Sequence, residues 1–451
     1  MVFSLSGCGG SSGGTQIANV PKNQVQSDDQ SPNSDNNTNN NNAPTSNDQS
    51  GNNNNNNNGT TSNDQSGTVT SGDSYSSTTA GEHAISLTSG TATYSNITVT
   101  KTGDLSGQND DYDWKGTNAA ILASGGAILT INGSATTITT NAKYGNAVFS
   151  YGGNNSNTNN NQGDGTTINI SDATITTSSN NSGGIMTTGG GIMNASGLTI
   201  TTSGGSSAAI RTDSGGGTVT VNGGTYTTNG TGSPAIYSTA NITVYDADLT
   251  ANVAQSVVIE GGNSVTLENS NLNANHTTKN SQDTTYQAVL IYKSMSKDAS
   301  SGTSSFSMTD GSITNSNGDI FCVTNTSTAI TLSGVKITNN DSSGNFLRAE
   351  AQEWGESNNG GTVTLNASGQ DIEGDMIVDN LSSLTLNMTD NSTFSGAINP
   401  TGATGGTVTV NIESGSTWTL TGDSYVTSLT NNGTITRNGN TLYLNGTAYT
   451  D

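Results

Sequence analysis

Ala209-Ile210-Arg211-Thr212-Asp213-Ser214-Gly215-Gly216-Gly217-Thr218-Val219-Thr220-Val221-Asn222-Gly223-Gly224-Thr225-Tyr226 holds one complete unit of the fold. A short apolar pair behind a small residue comes first. A glycine bend follows, then the alternation Val-Thr-Val, a second bend at Asn-Gly-Gly, and a third short strand. Period-two alternation puts every other side chain on a buried face, and Val, Ile, Thr and Tyr suit a pleated, half-buried surface. Glycine and asparagine at the bends accept positive φ at little cost.

The unit repeats along the chain. Its apolar pair recurs with central residues at 121, 148, 185, 210, 236, 258, 289, 320, 346 and 376, so successive steps are 22 to 37 residues. The second element returns as Ile242-Thr243-Val244-Tyr245-Asp246-Ala247-Asp248-Leu249 and Ile330-Thr331-Leu332-Ser333-Gly334-Val335-Lys336-Ile337. One coil cannot bury its own inward residues, so the coils must stack, at about 4.8 Å each. Propeller blades repeat at longer intervals, and sandwiches need hairpin turns that the sequence lacks. The expected fold is all-β: a right-handed parallel β-helix of about ten to twelve coils over residues 81–406, with capping coils over 407–451. Trp418, Tyr425, Tyr443 and Tyr449 lie in the expected cap.

Composition agrees. Of 451 residues only 29% are hydrophobic and 10% charged, and 58 glycines exclude long helices over most of the chain, so the core must be narrow. A net charge of -23 with 11 Lys and Arg repels a phosphate backbone, which argues against nucleic-acid binding. The two cysteines, Cys8 and Cys322, form no metal-binding or redox spacing, and Cys322 in Ile320-Phe321-Cys322-Val323 reads as a small buried hydrophobe.

Leu5-Ser6-Gly7-Cys8 resembles the lipobox of bacterial lipoproteins, which implies a lipid on Cys8, an extracellular, cell-surface location and membrane contact through that anchor alone. Only four residues precede Leu5, too few for the basic and apolar regions of an export signal, so a truncated start is expected. Residues 9–80, with an unbroken run Asn52 to Asn58, have too little apolar surface to offset ordering and are expected to form a disordered tether, on the order of 45 Å end to end.

Residues 81–451, with Ser207 to Thr218 and Gly232-Ser233-Pro234-Ala235-Ile236-Tyr237 as signature, resemble the adhesin-like β-helix surface proteins of the pectate-lyase-like superfamily. That resemblance implies surface display and leaves the ligand open.

If the central residue of each pair points inward, its successor points outward. The outward stripe then reads Leu122, Phe149, Met186, Arg211, Tyr237, Ile259, Leu290, Phe321, Leu347 and Ile377. Insertions at 152–165, 293–304 and 350–361 flank it, with Tyr151, Tyr292 and Trp354 nearby. An apolar, aromatic strip between loops suits a polysaccharide, whose pyranose rings stack on aromatic faces. The expected ligand face is Phe149, Tyr151, Arg211, Asp213, Tyr237, Tyr292, Arg348, Glu350 and Trp354. The competing reading is a stripe covered by the chain's own loops, or one with its phase reversed.

Enzyme chemistry finds less support. A lyase of this fold needs clustered carboxylates for Ca²⁺ beside a Lys or Arg base, yet Arg211 and Arg348 are five coils apart, about 24 Å. Arg211 with Asp213 reads as a surface ion pair, and nothing in the spacing selects two of Glu260, Glu350 and Glu353 as a glycosidase pair. His83 and His276 have no nucleophile at a recognisable spacing. The densest set of hard oxygen ligands is Asp104, Asp110, Asp111 and Asp113, which suits Ca²⁺, against a plain solvated loop. Thr-x-Thr at 137–139, 174–176, 199–201 and 225–227 resembles the Thr ladders of ice-binding β-helices but lapses after four coils. The leading expectation is a non-catalytic, adhesin-like module that contacts polysaccharide or another surface. A polysaccharide lyase or hydrolase is second and a structural spacer third.

Overall fold

A single Val-Thr-Val segment presents two inward side chains, too few to exclude water, so stability has to come from the coils above and below. In the computed structural model, residues 62–63 and 67–450 are described, except 108, 155–161, 280–281, 296–298, 300 and 356–358, and they form a parallel β-helix. Each coil carries a first, second and third strand. Second strands begin at residues 68, 91, 128, 167, 191, 217, 241, 264, 303, 327, 362, 383, 407 and 428, which makes fourteen coils against the ten to twelve expected.

Register turns the repeat into columns. Ile210 pairs with Ile185 and Ile236 on the first face, Val219 with Met193 and Ile242 on the second, and Tyr226 with Ile200 and Leu249 on the third. All nine side chains are buried, and each such aliphatic contributes roughly 1.5–3 kcal/mol. Farther along, Phe306, Phe321 and Phe346 step through the core with centroids 5.4 and 5.6 Å apart.

The bend between second and third strands has a column of its own. Asn96, Asp172, Asp246, Asn269 and Asp310 all take φ near 50°, the left-handed region that Asn and Asp tolerate best after glycine. Gly223 supplies the same conformation in the coil quoted above. At the bend after the third strand, Thr177, Thr202 and Thr228 turn inward and donate to the carbonyls of Ser182, Ser207 and Ser233 at 2.5 to 2.6 Å. These hydroxyls satisfy backbone groups that the corner would otherwise leave buried and unpaired.

Both expected boundaries move. Thr68–Ser71 and Ser74–Ser77, counted to the tether, pair in parallel with Thr91–Ser95 and Thr98–Thr102 and belong to the first coil. That coil is nearly all Ser and Thr, so hydropathy hides it. The cap is also shorter than expected: Thr407–Ile412 and Ser428–Asn431 continue the ladder, and the first antiparallel pairing is Tyr443 with Ala448. Trp418 points inward and stacks on Phe394 at 5.5 Å, whereas Tyr425 and Tyr443 stack at 4.6 Å and stay half-buried. The one helix among the described residues, α1 (Asp110–Trp114), is five residues long. Cys8 and the tether up to residue 61 lie outside the described residues.

Candidate functional site

First-face pairing fixes which residues point outward: Leu122, Phe149, Met186, Arg211, Tyr237, Val258, Leu290, Cys322, Arg348 and Ile377 share one column. Ile259, Phe321 and Leu347 therefore point inward, a correction of one residue each. At Ile259 and Phe321 the slip arises because the residues of the strand are apolar on both faces, so a one-residue shift leaves the pattern unchanged.

The outward column is not an open groove. Phe149, Met186, Leu290 and Cys322 are fully buried, and Arg211, Asp213, Tyr237, Tyr292 and Trp354 are at most 9% exposed. The chain's own loops cover them. Gly116 and Ala119 lie over Phe149 and Met186, so close that a Cβ on Gly116 would meet the Phe149 ring at 2.6 Å. Thr188 pins that segment by donating to the Trp114 carbonyl at 2.5 Å. Farther along, Trp354 packs with Tyr237, Val258, Leu290, Tyr292 and Cys322, and its Nε1 donates to Asp283. The ligand face expected from sequence is thus a second, external packing layer, with Tyr151, Arg348 and Glu350 half-buried at its edges.

Three charged groups sit in this layer. Arg211 binds Asp213 at 2.5 Å and Asp113 at 3.4 Å, so the pair expected at the surface is buried. Burial opposes its charge, but Asp213 and Asp113 outweigh that and hold the guanidinium above its ordinary pKa. Glu260 is fully buried; its carboxylate accepts from Tyr237 at 2.5 Å, Tyr292 at 3.1 Å and Ser294, with Lys293 at 3.6 Å. Arg348 binds Asp319 at 2.5 Å and Glu350 at 3.0 Å. Its burial is likewise outweighed, by Asp319 before Glu350, which raises its pKa and unsuits it to take a proton as a base.

Three of the four aspartates expected to gather around calcium have protein partners. Asp113 turns in toward Arg211, Asp111 pairs with Lys115 at 3.0 Å, and Asp104 accepts from the Lys143 amide at 2.8 Å. The side chain of Asp110 lies outside the described residues. Among the described residues no three His, Cys, Asp or Glu gather as a metal group.

Sequence reasoning missed Asp319, Asp283 and Ser294. Asp319 stood directly before an apolar run and read as its flank; the other two lie in loops whose destination only the fold reveals. His83 Nδ1 lies 2.8 Å from the Ala119 carbonyl. His276 is buried beside Asp283, 3.8 Å away, and burial pushes its pKa down to about 4.

Open surface lies on the other faces. On the second face, Thr130, Asn132, Asn169, Ser171, Asn194, Ser196, Thr220 and Asn222 line a trough of about 310 Å³ floored by Ile131, Ile170 and Ala195. Asn194 Nδ2 donates to Asn169 Oδ1 at 2.9 Å, and the same column continues as Asn366, Asn387 and Asn411 with links of 2.8 Å. The third face carries its Thr-x-Thr pairs outward and in register, as the alternation requires. No protein-family model, curated protein or solved structure matches the chain.

Proposed function

We propose that the chain is a non-catalytic, adhesin-like surface module whose second face contacts a neutral polysaccharide. The trough on that face carries the reading: four consecutive coils present side-chain amides and hydroxyls in register, over a span of about 14 Å at the rung spacing. Amides donate and accept at once, which matches the vicinal hydroxyls of a sugar ring. Ladder bonds such as Asn194 to Asn169 hold the side chains in place before binding, which lowers the entropy cost of docking. The net charge of -23 disfavours an acidic glycan. Lipid attachment at Cys8 and bacterial surface display belong to the same reading and rest on the Leu5 to Cys8 resemblance.

A glycan array on residues 62–451 tests it. Binding to neutral glycans that drops at least tenfold in Asn169→Ala/Asn194→Ala supports the trough. A silent array supports a structural spacer instead, and release of unsaturated uronate from polygalacturonate, abolished by Arg348→Ala, would establish the lyase reading.

A further inference from the structure

Cys322 is the outward residue of its strand, fully buried among Val258, Leu290, Tyr292 and Trp354. The carboxamide of Gln352, on the loop that follows the next first strand, is aimed at it. Gln352 Nε2 donates to Cys322 Sγ at 3.1 Å and to Thr285 Oγ1 at 3.2 Å. Gln352 is 8% exposed, and its Oε1 is buried with no hydrogen-bond partner. Folded chains seldom leave such an oxygen unpaired, and a thiol is a poor partner for an amide. A thiol and a primary carboxamide held together in this way are the two halves of an acyl condensation.

We propose that Cys322 and Gln352 condense to an intramolecular thioester. Sγ bonds to Cδ of Gln352, the Cδ–Nε2 bond breaks, and Nε2 leaves as ammonia with the thiol proton. No electrons are transferred and no oxidant is needed. Burial pushes the thiol pKa up and keeps sulfur protonated. Reactants and products are all neutral, so an apolar site does not oppose the step if the proton passes to Nε2 directly or through Thr285 Oγ1. Sγ lies 3.1 Å from Nε2, one bond away from the carbon it attacks, so a rotation of the carboxamide, with no movement of the chain, brings Cδ to the sulfur and keeps the reaction intramolecular. Tyr292 and Trp354, with ring centroids 4.4 Å apart, exclude the water that would hydrolyse the product.

The bond ties Gln352 to the wall of the β-helix and holds an acyl group that a small primary amine can take. The amine nitrogen bonds to Cδ, Sγ leaves with a proton, and an amide remains.

Intact mass spectrometry of the full chain carrying Cys8→Ser, which leaves Cys322 as its one cysteine, decides the matter. The expected result is a mass lower than the sequence by one ammonia, no alkylation of Cys322 by iodoacetamide in denaturant, and a cross-linked peptide containing 322 and 352. Methylamine then adds once, at Gln352, and frees the thiol. Gln352→Ala regains an alkylatable Cys322 with no ammonia lost. Full mass with an alkylatable thiol overturns the proposal. Ammonia loss with the thiol still alkylatable also overturns it, since that marks a succinimide at a site such as Asn432-Gly433. The Cys8→Ser change lies outside the β-helix strands, so the first measurement needs no substitution in the folded coils. A positive mass result beside a silent glycan array leaves the thioester standing and removes the polysaccharide.

Discussion

Trp354 Nε1 donates to Asp283 Oδ1 at 3.3 Å and so fastens the segment after Leu347–Ala349 to the segment before Gln287–Tyr292. The same ring packs on Tyr292 and covers Cys322. Trp354→Ala removes the cover as well as the fastening and is expected to cost about 3 kcal/mol, the lower end for a buried Trp, because a loop relaxes more readily than a core. Hydrogen exchange locates the effect: amides of 275–286 lose protection while those of Ile242–Val244 keep theirs. Equal protection in wild type and variant would show that the two loops close independently.

Arg211 neutralises two buried carboxylates, Asp113 and Asp213. Arg211→Ala strands both and is expected to destabilise by about 3–5 kcal/mol. The triple replacement Arg211→Met, Asp113→Asn, Asp213→Asn removes the charges together and should cost less than the single change. Urea denaturation of the two variants measures the order. A loss under about 1 kcal/mol for Arg211→Ala would mean that the pair is solvated, as the sequence alone suggested.

The stack was legible because Ile210, Val219 and Tyr226 keep phase with their neighbours over coil after coil. Each position is set by local alternation, which a sequence records directly. What covers the stack was not legible. Arg211 meets Asp113 across 98 residues, through a loop whose path no periodicity encodes. The phase slips at Val258 and Cys322 have a related cause: an apolar outer layer makes both faces of those strands read alike, so the pattern carries no sign of which side is the core, whereas Leu347-Arg348-Ala349 does alternate and its slip came from placing Phe346 at the centre of the pair. Asn169, Asn194 and Thr220 could each be read as outward, but the trough they form depends on register between coils 24 to 39 residues apart in second-strand start.

Calcium makes a direct test of the 104–113 loop. Asp113 is held by Arg211, Asp111 by Lys115, and Asp104 by the Lys143 amide, so an ion would have to break an ion pair for each of the first two ligands. Millimolar Ca²⁺ is expected to leave the thermal midpoint unchanged. An upward shift that vanishes with EDTA would return these carboxylates to a metal site.

Stability should fall in mild acid because of His276. Its pKa, near 6.5 in the unfolded chain, is pushed down by burial to about 4 when folded, and Asp283 at 3.8 Å does not offset that cost. The unfolded state therefore binds the proton more readily. This contribution is complete above pH 6.5 and is lost progressively as the pH falls to about 4, a total of about 3 kcal/mol. His83, whose pKa is also lowered by burial, adds a term of the same sign. Melting temperature against pH for wild type and His276→Gln measures it: the wild-type curve should slope between pH 6.5 and 4, and the variant, which has no imidazole to protonate, should be flatter there. An imidazole proton of His276 that titrates near 6.5 in the folded protein would show that the 275–286 loop admits water, and with it that the layer over Cys322 is open.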